Sequence, residues 1–106
     1  MSLKASDVID KLIILFSELC EILENDNEKH WIRRIQECLT ILQSKEELND
    51  KTKLTEVKSI YHSIHIGYSG FSEYFIWRED FDERVKANKR LDEIRDEIWN
   101  ILEKIN

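Results

Sequence analysis

The chain has 106 residues, 42% hydrophobic and 36% charged, with 22 acids against 16 bases for a formal net charge of −6. That length fits one domain with one core, and the apolar share is too high for a disordered chain. The acidic balance disfavours nucleic acid as a direct ligand, because phosphate binding runs on Lys and Arg. The longest apolar run, Leu12 to Phe16, falls far short of the roughly 20 residues of a membrane span.

The first predicted helix opens at Ser6, whose hydroxyl can cap it, with Asp7 at the positive end of its dipole. Val8, Leu12, Leu15, Phe16, Leu19, Ile22 and Leu23 then recur at helical spacing up to the turn formers Asn25-Asp26-Asn27. Asn27 is expected to cap a second helix, with Trp31, Ile35, Cys38, Leu39 and Leu42 on one face to about Ser44. Lys45 to Thr52 is polar and reads as a loop or a frayed turn. Leu54, Val57, Ile60, Tyr61 and Ile64 define a third helix that Gly67 is expected to stop.

The chain has two glycines, Gly67 and Gly70, and no proline. Gly70 is expected to allow a tight return, after which Phe71 to Trp77 forms a short helix or an ordered turn. The last helix carries Phe81, Val85, Leu91, Ile94, Ile98, Ile101, Leu102 and Ile105, with Asn88 on the same stripe. The predicted fold is all-α: one domain over residues 1–106, an antiparallel bundle of four long helices with room for a short fifth.

Little in the sequence points to catalysis or to a bound group. Cys20 and Cys38 each sit in an amphipathic pattern and read as free buried thiols, which together with the lack of an Arg/Lys-led leader predicts a cytoplasmic protein. His62 and His65 stand three apart and can face one way, but no further ligand completes a zinc site beside them. No nucleophile elbow or phosphate loop is present, so neither an enzyme nor a cofactor is expected.

Two surfaces stand out as candidate partner sites. Residues 5–28 hold seven acids against the one base Lys11, an excess equal to that of the whole chain. On that helix Asp10, Glu18 and Glu21 oppose the core stripe and surround Ile14, an apolar anchor within a polar rim. The competing reading is that Ile14 is one ordinary exposed apolar residue. The second surface is SEYFIWREDFDER, residues 72–84, where Glu73, Glu79, Asp80, Asp82 and Glu83 interleave with Tyr74, Phe75, Trp77 and Phe81. Tyr and Trp serve as interface anchors, and carboxylates beside them would steer a basic partner. The plainer expectation is that the acids stabilise the start of the last helix while Phe75 and Phe81 pack in the core.

The stretch from Ile60 to Ile105 also resembles a family of small helical bacterial proteins. It carries a glycine-rich turn, Gly67-Tyr68-Ser69-Gly70-Phe71-Ser72-Glu73, then the run Tyr74-Phe75-Ile76, then Asn88, Leu91 and Arg95 on a helix. The second glycine stands one position from the family pattern. The family looks like the immunity proteins that accompany secreted bacterial toxins, including those of contact-dependent growth inhibition. The resemblance implies an acidic cytoplasmic inhibitor that binds a cognate and basic toxin domain, often a nuclease, and occludes its active site or substrate path. Its contact residues would be Glu73, Tyr74, Trp77, Glu79, Asp80, Asp82 and Glu83, seconded by Asp10, Ile14, Glu18 and Glu21. The alternative is a self-associating helical adaptor, a homodimer built on the same aromatics.

Overall fold

The computed structural model describes residues 4–44, 49–65 and 70–105. They form four α-helices, α1 (Ala5–Asn25), α2 (Ile32–Gln43), α3 (Asp50–His65) and α4 (Phe81–Glu103), with no strand among the described residues. A 3-10 turn, Phe71–Glu73, precedes α4. The all-helical class and the four-helix bundle are therefore as the periodicity indicates.

α1 packs against each of the other three helices. Its buried residues are Ile9, Leu12, Leu15, Phe16, Leu19, Cys20 and Leu23, so the predicted stripe is met at five positions while Val8 and Ile22 are half-buried and Ile9 and Cys20 join the core. The ion pairs Lys11–Glu97 (3.0 Å) and Glu18–Arg90 run in opposite senses along the two chains, so α1 and α4 are antiparallel. The contacts of Lys58 with Ile105 and Tyr61 with Arg95 make α3 and α4 antiparallel as well. At the centre, Tyr61 is fully buried and meets Phe16 and Phe71 edge-on at 5.8 and 6.5 Å. Each such buried Leu, Ile or aromatic side chain contributes ~1.5–3 kcal/mol of transfer free energy.

The helix ends differ from expectation in instructive ways. α1 begins at Ala5 with an extended Lys4 in the cap position, so Ser6 lies inside the first turn and caps nothing. Asn27 does not cap α2. It takes φ 57, the left-handed residue that closes α1, while Asn27 N–H donates to Glu24 and Glu28 N–H to Leu23. Asparagine tolerates that region almost as glycine does, and the paired bonds satisfy carbonyls that the helix end would orphan. The cap of α2 passes instead to the Glu28 side chain, which accepts from His30 N–H and Ile32 N–H, each at 2.7 Å. α2 accordingly starts at Ile32, later than predicted.

Asn49 Oδ1 accepts from Thr52 N–H at 2.8 Å, so Asp50 to Thr52 belong to α3 rather than to a loop. Residues 45–48 lie outside the described residues, as do Gly67, expected to stop α3, and Tyr68. Gly70 is buried and extended (φ −74, ψ 178), a conformation open to any residue, so no left-handed return is made there.

The largest departure concerns α4. Its buried residues are Leu91, Ile94, Arg95, Ile98 and Leu102, so its first ten residues contribute none. Phe81 and Val85, expected on the core stripe, are exposed. Periodicity fixes which residues share a face, but not whether another element covers it, and nothing among the described residues covers Phe81 and Val85.

That leading chain is held by two polar residues of α4. Arg95 is 5% exposed, and its Nη1 donates to the carbonyls of Phe71 (2.6 Å) and Tyr74 (2.9 Å). Its Nη2 donates to Asp92, and the guanidinium lies over the Phe71 ring at 5.4 Å. Seven residues earlier on the same face, the Asn88 amide accepts from Ile76 N–H and donates to Ile76 C=O, both at 2.8 Å. Asn88 thus pairs with Ile76 as a neighbouring strand would, and Leu91 is buried between the two clamps.

Candidate functional site

The clamps determine what the segment displays. After the 3-10 turn the backbone is extended, with ψ 136 at Tyr74 and 125 at Asp80. Successive side chains of extended chain point to opposite sides. Ile76 is buried and Tyr74 and Arg78 are half-buried, whereas Glu73, Phe75, Trp77 and Glu79 are exposed. Both inward polar groups end on one carboxylate: the Tyr74 hydroxyl donates to Asp26 Oδ2, and Arg78 Nη1 donates to Asp26 Oδ1 at 2.8 Å. Burial and the Asp26 hydrogen bond raise the pKa of the Tyr74 phenol, which stays protonated. Tyr74 therefore serves as an internal tie of the segment, not as an outward anchor.

Phe75 and Trp77 emerge on the opposite side, 55% and 63% exposed. They correct the expectation that Phe75 packs in the core, and Phe81 joins them at 65%. Arg84 links the rings, its guanidinium 4.4 Å from the Trp77 centroid and 5.4 Å from that of Phe81. Val85, one turn along α4 from Phe81, is the fourth exposed apolar residue of this region. Single exposed apolar residues are ordinary, but four on one short segment and the helix turn it enters are not.

Carboxylates surround these residues. Glu73, Glu79, Asp80, Asp82 and Glu83 are all exposed. Asp80 also caps α4, accepting from Glu83 N–H at 2.9 Å, and Asp82 and Glu83 stand in the first turn, where the helix dipole favours them. The structural and surface readings of these acids thus hold together.

On α1, Ile14 is 67% exposed, and Asp10 and Glu21 are exposed beside it. Glu18 is already committed: Arg90 reaches it with Nε and with Nη2, the latter at 2.7 Å, and that hydrogen bond lowers the Glu18 pKa. Glu18 and Glu21 line a cavity of about 290 Å³ whose other walls include Ile76 and Arg78 of the extended segment and Ala87 and Arg90 of α4. The cleft thus takes Glu18 and Glu21 from the α1 set, while none of the contact residues predicted on residues 72–84 lines it. Ile14 and Asp10 are not among its lining residues.

Phe75, Phe81, Val85 and Arg84 are members of the surface that the contact set read from sequence omitted. Tyr74-Phe75-Ile76-Trp77 is a continuous apolar run, so no pattern in the sequence separates its buried members from its exposed ones.

The histidines lie in a different place, between α3 and α4. Both stack on Trp99, His62 at 4.5 Å and His65 at 4.6 Å, and His65 also stacks on Tyr61 at 5.2 Å. Glu103 comes within 2.7 Å of His62 Nε2, yet that nitrogen has no partner in hydrogen-bond geometry, so the contact is one of proximity. His65 Nδ1 is buried without a hydrogen-bond partner among the described residues. No group of three metal-ligating side chains occurs among the described residues.

Burial first, and Arg95 and His62 after it, lower the His65 pKa from 6.5, with Asp96 opposing them. A histidine that is harder to protonate folded than unfolded favours the fold at neutral pH. That stability is full above about pH 6.5 and is lost as pH falls from there through the lowered folded value. Thermal melts from pH 7.5 to 5 should show the midpoint falling with acidification, and His65→Gln should reduce the slope. An unchanged slope would assign the pH dependence to other groups.

Cys20 and Cys38 are free and buried, and burial pushes their pKa values to about 11 and about 12. Both are thiols at neutral pH, packed as apolar side chains. None of the helices among the described residues is long and apolar enough to cross a membrane. No protein-family model, curated protein or solved structure matches the chain.

Proposed function

We propose that this chain is a cytoplasmic immunity-type inhibitor that binds the basic catalytic domain of a toxin, in the first place a nuclease, and covers its active site or substrate path. The observation that carries the reading is the exposed aromatic group Phe75, Trp77 and Phe81, the latter two under the Arg84 guanidinium, framed by five carboxylates on a segment pinned by Arg95 and Asn88. Blocking a site needs no cofactor and no reacting group. It needs shape that survives contact, aromatic anchors that lose water on binding, and a potential opposite to that of the target. A segment held at both ends gives up little conformational freedom when bound, so its anchors act at small entropic cost.

The acids act mainly on approach. A basic domain is drawn to the rim before contact, and that attraction weakens as salt shortens the Debye length to about 8 Å at physiological strength. Association should therefore slow with salt while dissociation changes little. Glu79 and Asp82 are better positions for charge reversal than Asp80, whose side chain caps α4.

The experiment starts from the gene directly upstream, expected to encode a secreted protein with a toxic C-terminal domain. That domain, induced in a bacterial host, should arrest growth, and co-expression of this chain should restore it. Growth arrest that this chain does not relieve would refute the reading for that pair. A metabolic enzyme encoded upstream would remove the proposed context.

A further inference from the structure

We infer that the cleft between α1 and the extended segment is a subsite for a single arginine or lysine side chain of the bound protein. The inference rests on the proposed binding function and names what that surface selects. The cleft holds about 290 Å³, at the lower edge of the roughly 300–1,000 Å³ of small-molecule pockets, so it suits one long side chain rather than a cofactor. Ile22, Ile76 and Ala87 give it apolar walls against which an aliphatic stem can lie.

Charge decides the sign of the head group. Each arginine at the cleft already has a carboxylate: Arg78 holds Asp26, and Arg90 holds both Glu18 and Glu93. Glu21 lines the cleft, is exposed and makes no ion pair among the described residues, and Asn25 beside it offers an amide oxygen. An incoming anion would compete with carboxylates for both arginines. An incoming cation finds Glu21 unpaired.

The backbone joins this subsite to the aromatic surface. Ile76 and Arg78 line the cleft and Trp77, between them in sequence, is exposed on the other side of the segment, so the subsite and the aromatic surface share one stretch of backbone. Aromatic anchors would then supply affinity, and the cleft would select for a basic residue at one position of the partner.

Backbone amide shifts of the whole chain, titrated with N-acetyl-arginine amide and separately with the uncharged N-acetyl-norleucine amide, test this without any toxin. The arginine compound should give saturable shifts centred on Glu21, Asn25 and Ala87. The norleucine compound should bind more weakly, and Glu21→Gln should weaken arginine binding about threefold to fivefold. Diffuse, non-saturating shifts over the acidic surface, equal binding of both compounds, or indifference to Glu21→Gln would each overturn the inference. Toxin binding that persists without arginine binding removes the subsite alone; arginine binding without any toxin partner removes the proposed function alone.

Discussion

Replacing Trp77 and Phe81 together by alanine is expected to weaken binding of the toxin domain by about 100-fold or more, while the fold loses no more than ~1 kcal/mol. Anchor aromatics at interface centres typically cost ~2 kcal/mol or more each on truncation, and adjacent ones are not additive. The fold is spared because both rings are more than 60% exposed in the free protein, at 63% and 65%. What they contribute internally is their contact with Arg84, worth ~0.5–1 kcal/mol at an exposed site. Calorimetric titration and a urea melt of the same preparation separate the two effects. Binding that is kept at full strength would show the aromatics to be bystanders.

The second large effect belongs to Arg95. Arg95→Met keeps the apolar stem but leaves the Phe71 and Tyr74 carbonyls without their donor. A buried acceptor without a partner costs ~1–3 kcal/mol, and two of them approach the ~5 kcal/mol at the lower end of domain stability. The melting temperature should drop by more than about 10 °C. Arg95→Lys should rescue little, since one ammonium cannot span two carbonyls and Asp92 with a fixed fork. Asn88→Ala, which frees only Ile76, should cost less. A stability within ~1 kcal/mol of the parent in Arg95→Met would mean that the segment is held by Phe71 packing alone.

These two experiments divide the residues that secure the segment from those that face the solvent. Phe71, Asn88, Leu91 and Arg95 secure the segment and touch the candidate surface only through it. They set the shape of the site, and Trp77, Phe81 and the surrounding acids form its face.

The helices were legible because apolar residues three and four apart can serve only one backbone period, and α1 and the second half of α4 follow it closely. The caps were less so. Asn27 suits a helix end as well as a helix start, and only the competing Glu28 carboxylate decides between them. Phe81 and Val85 continue the α4 stripe, yet a stripe says nothing of what lies opposite. Phe75 fell to the same cause: alternate residues swap sides once the chain is extended, and a helical reading of the segment hides that. Arg95 and Asn88 were visible as polar residues on or near an apolar face, but their partners are backbone groups up to 24 residues away, which no side-chain pattern records. The cleft depends on three elements meeting, so Glu21 was legible as a rim acid of the α1 surface but not as the wall of a cleft.

Sedimentation equilibrium of the chain alone and mixed with the upstream-encoded domain is the most direct measurement of the central claim, that the aromatic face binds a different and basic protein. The predicted result is a monomer of 12.8 kDa at all concentrations and a one-to-one complex on mixing, lost in the Trp77→Ala/Phe81→Ala variant. A concentration-dependent dimer that the same variant abolishes, with no complex on mixing, would contradict it and assign that face to a second copy of this chain.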